Sequence, residues 1–152
     1  MKSCLIIGYG NTLRRDDGAG VRAAELLSKQ FPAVDCYCSH QLSLEIAESL
    51  AEYSMVFFLD AIREGTEPAI QLLQPSEDVG SLSSHTLSPQ QLLNTCLLLY
   101  KRAPRIAWQV GIPAVDFALG ETCTEFTEQM IKSAVEWCGK RISEQIHNEA
   151  KY

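Results

Sequence analysis

Leu5-Ile6-Ile7-Gly8-Tyr9-Gly10-Asn11-Thr12-Leu13-Arg14-Arg15-Asp16-Asp17-Gly18-Ala19-Gly20 is the stretch whose reading decides the fold. The apolar run Cys4–Ile7 predicts a buried strand. Glycines at positions 8 and 10 predict a tight turn, with Asn11 bonding locally to hold it. A helix is expected from about Gly18. Strand, glycine turn and helix together suggest a dinucleotide loop, but that loop needs a third glycine three residues after the second. Position 13 is Leu. Asp16 and Asp17 also stand where a phosphate would approach the helix N-terminus, and carboxylates there repel an anion. Such a loop suits a cation better. For Asp16, capping of the helix is an equally good reading.

Outward from this stretch, strands and helices alternate. The first helix is expected over 18–31, with Val21, Ala24, Leu27 and Phe31 on one face and Pro32 ending it. Val34–Cys38 reads as a second strand, followed by a short helix burying Leu44, Ala47 and Ala51, with Ile46 and Leu50 beside them. Met55–Leu59 is continuously apolar and predicts a central strand covered on both faces. Ala69–Leu73 reads as an edge strand. The Ser-rich residues 74–87 predict a long surface loop. Ser88-Pro89-Gln90-Gln91 carries a capping box, opening a helix with Leu92, Leu93, Cys96, Leu97 and Tyr100 on one face. Ile106–Val110 is the last strand, broken by Gly111-Ile112-Pro113. Thr122 with Glu125 is expected to cap a long helix carrying Phe126, Met130, Ala134, Trp137 and Cys138, frayed from His147 onward. The pattern predicts one α/β domain over 1–152, three layers deep (α/β/α), around a mostly parallel five-stranded twisted sheet. Loops at the carboxyl ends of the strands should gather the functional site.

Bulk properties narrow the class. Acidic residues outnumber basic ones 19 to 13, for a net charge of −6 and a pI near 5.0. That balance argues against nucleic acid as the main partner. No apolar run approaches the roughly 20 residues that span a bilayer, and the N-terminal apolar stretch is too short for a signal peptide. A cytoplasmic protein with no membrane partner is expected. The six cysteines read as small hydrophobes in a reducing compartment, with Cys96, Cys123 and Cys138 on helix faces. Cys36 and Cys38 would share one face of a strand, which leaves a metal or redox role open.

Three further positions join the Asp16–Asp17 pair as candidates. Asp60 ends the most apolar strand, His85 lies in the Ser-rich loop, and His40 follows the second strand. No G-x-S-x-G elbow or H-E-x-x-H helix is present, and no serine or cysteine stands out as a nucleophile. The residues alone leave open a hydrolase, a non-enzymatic α/β module binding a metal or a nucleotide, and a metal-dependent hydrolase with its own zinc.

The stretch resembles the N-terminal signature of the hydrogenase maturation endopeptidases, roughly G-x-G-N-x-L-x-x-D-[DE]-G-x-G. Gly8, Gly10, Asn11, Leu13, Asp16, Asp17, Gly18 and Gly20 fit it. Leu59-Asp60-Ala61 and Ser84-His85-Thr86 resemble further parts of the family pattern, and Gly111-Ile112-Pro113 does so weakly. The resemblance implies an endopeptidase that removes the C-terminal extension of a nickel–iron hydrogenase large-subunit precursor already loaded with nickel. It implies that Asp17, Asp60 and His85 ligate that nickel and form the catalytic site. The nickel comes with the substrate, so no permanent cofactor is expected. Asp16, Asn11 and His40 are expected to contact substrate. Many relatives carry an Asp-Gly-Gly-Thr-like run where this chain has Ser39-His40-Gln41-Leu42. The His-Gln-Leu form resembles the subgroup serving cytoplasmic bidirectional NAD(P)-linked hydrogenases. A monomer is expected.

Overall fold

The computed structural model describes residues 1–78 and 87–151. Five strands form one sheet: β1 (Lys2–Tyr9), β2 (Asp35–Ser39), β3 (Tyr53–Ile62), β4 (Ala69–Leu73) and β5 (Ile106–Pro113). Their spatial order is β2-β1-β3-β5-β4, parallel throughout except for β4, which runs antiparallel to β5 at the edge. The helices are α1 (Ala19–Gln30), α2 (Ile46–Leu50), α3 (Pro89–Tyr100) and α4 (Glu125–Ala150), with a short 3-10 turn at Arg15–Gly18 before α1. This is the α/β/α arrangement that the alternating pattern predicts.

Strand periodicity assigns each residue to a layer. Ile6, Phe57 and Leu59 face α1 and α4, joining Ala23, Leu27, Ile131, Ala134 and Cys138 in one cluster. Ile7, Val56 and Phe58 face the other way and pack with Ile46, Leu50, Leu92, Leu93 and Cys96 of α2 and α3. Residues 56–59 are wholly buried, as expected of a strand covered on both faces. Among the described residues there is no helix long and apolar enough to cross a membrane.

Several local expectations need correction. The last strand is not broken at Gly111-Ile112-Pro113 but continues to Pro113, pairing Asp60 with Gly111 and Ile62 with Pro113. A Cβ at Gly111 would meet Ile62 Cγ2 at 2.7 Å, so glycine here admits a bulky neighbour instead of ending a strand. The long helix is capped by Thr124, not Thr122; the Thr124 hydroxyl accepts from the Thr127 N–H. It remains helical to Ala150, with Gln145 donating to Glu149 near its end, so residues 147–150 belong to the helix. Leu44 is exposed and precedes α2, and Tyr100 is exposed on α3. The buried face of α3 includes Asn94 and Thr95 instead. Asn94 accepts from the Ser76 N–H and donates to the Asp78 carbonyl, pinning residues 76–78, just after β4, to this helix. Cys123 lies before α4 rather than on it, and Cys38 is exposed, so burial holds fully only for Cys4, Cys96 and Cys138.

Candidate functional site at the carboxyl edge of the sheet

β1 lies between β2 and β3, and its neighbours are reached by crossovers in opposite directions. This is the topological switch point of an open parallel sheet, where a crevice forms outside the carboxyl ends of the strands. Tyr9, Ser39 and Asp60 all sit at that edge.

The turn after β1 is shaped by close backbone approach. Gly10 has φ +142°, and a Cβ there would collide with the Asp17 carbonyl. A Cβ at Gly20 would collide with the Leu59 carbonyl and lie 2.9 Å from the Asp60 Cα. The helix–strand contact that a nucleotide loop makes through its third glycine is therefore made here by Gly20, and it seats the start of α1 against Asp60. Asn11 holds the turn as expected: its Oδ1 accepts from the Leu13 N–H at 3.0 Å. Its own N–H donates to Asp17 Oδ2 at 2.8 Å, which fixes the Asp17 carboxylate inside the turn it terminates.

Asp60 lies at the crevice near enough to Asp17 to feel its charge. Burial pushes the Asp60 carboxyl up; the Ala61 N–H, donating at 2.8 Å, opposes this, and the Asp17 charge adds to it, for a pKa of about 6. The Tyr9 hydroxyl hydrogen-bonds to Asp60, and burial together with the Asp60 charge raises the Tyr9 pKa. Tyr9 is absent from the sequence-based candidates. Register is the signal that finds it. Gly8 pairs with Leu59, so Tyr9 and Asp60, each one step further on, project to the same face.

Asp16 does something different from the substrate contact expected of it. It is fully buried. Oδ2 accepts from the Val115 and Asp116 N–H groups, both at 3.0 Å, and from the Thr124 hydroxyl at 2.9 Å, while Oδ1 accepts from the Thr124 N–H at 2.7 Å. Burial alone would raise its pKa, but hydrogen bonds from Thr124, Val115 and Asp116 hold it below the ordinary carboxylate value. With every contact made inside the protein, Asp16 ties the β1 loop to the segment after β5. It does not cap its own helix: the carboxylate reaches the N-cap of α4 instead. Arg15 strengthens the same tie. Its guanidinium pairs with Asp116 and donates to the Thr122 carbonyl, and its backbone takes a left-handed φ of +43°.

His40 is exposed and lines a groove with Asn11, Leu13, Glu25 and Cys38, beside the β1 loop and not between Asp17 and Asp60. His85 lies outside the described residues. Among the described residues no group of three or more His, Cys, Asp and Glu side chains is gathered to hold a metal ion. The pair Asp17–Asp60 is what the described chain supplies.

No family model matches the chain, and no curated protein matches it. Solved structures do. It superposes on the hydrogenase maturating endopeptidase HybD from Escherichia coli with a TM-score of 0.72 at 24% identity, covering 95% of this chain and 93% of that one. A hydrogenase 2 maturation peptidase from a Thaumarchaeota archaeon gives 0.70 at 24% identity, covering 93% and 99%. A [NiFe] hydrogenase maturation protease HybD from Thermococcus kodakarensis gives 0.66 at 22% identity, covering 92% and 98%. The chain shares their fold over nearly its whole length.

Proposed function

We propose that this chain is a hydrogenase maturation endopeptidase, cleaving the C-terminal extension from a nickel-loaded large-subunit precursor of a nickel–iron hydrogenase. The observation that carries the reading is the Asp17–Asp60 pair, set by the signature turn at the switch point of the sheet. Structural likeness to proteins described as hydrogenase maturation proteases supports it.

In this reading the nickel belongs to the substrate and marks the precursor as ready. Two carboxylates form a mixed oxygen and nitrogen ligand set once an imidazole joins them, a donor combination suited to Ni²⁺. His85 is the residue proposed to supply the imidazole. Asp60, with a pKa of about 6, is anionic at neutral pH yet close enough to it to accept a proton from water. The Tyr9 hydroxyl holds the Asp60 carboxylate in orientation, and Asn11 does the same for Asp17. His40, at the neighbouring groove, is proposed to contact the precursor and to mark a cytoplasmic bidirectional NAD(P)-linked hydrogenase as the partner. The enzyme would act in the cytoplasm, as a monomer.

The test is incubation with a nickel-loaded large-subunit precursor, followed by mass spectrometry of its C-terminus. A shortened precursor is expected with nickel and an intact one without it. An intact precursor under both conditions, with folded enzyme, overturns the proposal.

A further inference from the structure

Cys36 and Cys38 lie two residues apart on β2, the parallel edge strand, and their sulfurs approach to 4.0 Å on the face toward α1. Cys36 is half-buried, its Sγ 3.6 Å from the Ala24 carbonyl. Cys38 is exposed and lines the groove shared with Asn11, Leu13, Glu25 and His40. That groove has a volume of about 380 Å³, within the range of small-ligand sites. One residue further on, the Ser39 carbonyl accepts from the Gly10 N–H at 3.1 Å. The end of β2 is thus bonded directly to the turn that carries Asp17.

We propose that Cys36 and Cys38 are a reversible dithiol–disulfide couple, oxidised by a low-molecular-weight disulfide that enters the groove at Cys38, and that oxidation loosens the bond between Ser39 and Gly10. The contact between the sulfurs holds Cys36 below and Cys38 above the ordinary thiol pKa, so access and not acidity makes Cys38 the attacking sulfur: it is exposed to the groove and Cys36 is half-buried. The exposed Cys38 sulfur gives up its proton and attacks one sulfur of the oxidant, releasing one thiolate, which takes up that proton. Cys36 then gives up its proton and attacks the Cys38 sulfur of the mixed disulfide, releasing the second thiolate, which is protonated in turn. Two protein thiols are oxidised, one external disulfide is reduced, and two external thiols leave.

The strand geometry makes the product labile. Residues two apart on a strand hold their Cα atoms about 6.6 Å apart. A disulfide holds its Cα atoms about 4.4–6.8 Å and its Cβ atoms about 3.5–4.5 Å apart, so side chains standing in parallel on an extended strand must be drawn together to form it, and the strained product is readily reduced. Drawing the two residues closer shortens β2 just ahead of Ser39, which is the physical link to Gly10. The couple does not depend on the chain being a peptidase, and neither does its test.

Reduced protein is incubated with glutathione disulfide, quenched by alkylation and mapped by peptide mass spectrometry, while amide exchange at Gly10 is followed by NMR. In the wild type the peptide holding Cys36 and Cys38 should lose two alkylatable thiols together and the mass of two hydrogens, without retaining glutathione; dithiothreitol should restore it. C36S should retain glutathione on Cys38, because no second thiol resolves it. C38S should remain unmodified at Cys36. Gly10 exchange should rise several-fold in the oxidised wild type and stay unchanged in C38S given the same treatment. Persistence of both thiols, or stable glutathione on wild-type Cys38, overturns the couple. A disulfide without a change at Gly10 overturns the link to the turn.

Discussion

Asp16 and Asp17 are neighbours in sequence with opposite surroundings. Asp16 points into the protein, where four donors from residues 115–124 surround it. Asp17 points to the sheet edge, where its partners are one backbone N–H of its own turn and the nearby charge of Asp60. The difference comes from what each side is built to do. A buried carboxylate is tolerated where hydrogen bonds replace its lost water. Two like-charged carboxylates at one crevice cost energy unless a proton or a cation joins them, and carboxylates left in that state are the ones available for chemistry.

The largest expected effect tests the Asp17 side. Asp17→Asn and Asp60→Asn should each reduce precursor cleavage by about a thousandfold, the scale of losing a general base or a charged ligand. Thermal midpoints at neutral pH should not fall, since Asn keeps the size of each side chain and an amide oxygen for its backbone donor while removing the repulsion between the two charges. Mass spectrometry of the precursor gives the rate. Near-normal cleavage by either variant would remove that residue from the site.

The opposite pattern is expected at Asp16. Asp16→Ala leaves three part-buried N–H groups and the Thr124 hydroxyl without this acceptor and should cost about 3 kcal/mol in urea unfolding. Asp16→Asn should cost less, because its amide oxygen still accepts. The acid side sharpens the point. The lowered pKa of Asp16 means that its contribution is present above the unfolded carboxylate value and is lost as pH falls through the folded one. If Asp16→Ala leaves stability untouched but halts cleavage, the two carboxylates have been assigned the wrong way round.

Asp60 has the reverse sign. Its pKa is raised from 3.8 to about 6. Its favourable contribution is therefore full below the unfolded value and lost as pH rises through about 6, a difference of about 3 kcal/mol at most. Asp60→Asn should flatten the stability profile between those two pH values, and cleavage by the wild type should decline as pH falls below about 6. A wild-type rate independent of pH across that window would exclude the Asp60 carboxylate as the titrating group. The smallest effect is expected at His40, beside the crevice and not in it. His40→Ala should raise KM by about tenfold or less, the scale of one lost hydrogen bond to substrate, and leave kcat unchanged.

Much of this architecture was legible because it is local. The apolar run at 55–59, the alternation with helices and the Ser88–Gln91 capping box each carry their signal within a few residues, and the structure keeps them. What was not legible depends on partners far along the chain. Thr122-Cys123-Thr124-Glu125 offers two caps in sequence, and the choice of Thr124 is made by Asp16, 108 residues away. Gly111 and Pro113 look like breakers until Ile62 is placed beside them. Asp16 and Asp17 cannot be told apart by composition or spacing, because their difference lies in which way the Arg15 backbone turns them. Tyr9 sat unremarked between two glycines, although strand parity alone sets it on the face of Asp60.

The tie from Asp16 and Arg15 to residues 115–124 also sets an order of events during folding. Gly10, Asn11 and Asp17 belong to the first tenth or so of the chain, yet the loop they form is held by a segment synthesised after all five strands. Contacts of such sequence separation close late, because the intervening chain must first lose its freedom. A nascent chain that has built β1, α1 and β2 still lacks the clamp that aims Asp17. In a refolding experiment, helix and sheet signals should therefore recover before the crevice does, and the proposed precursor cleavage should be the last property to return.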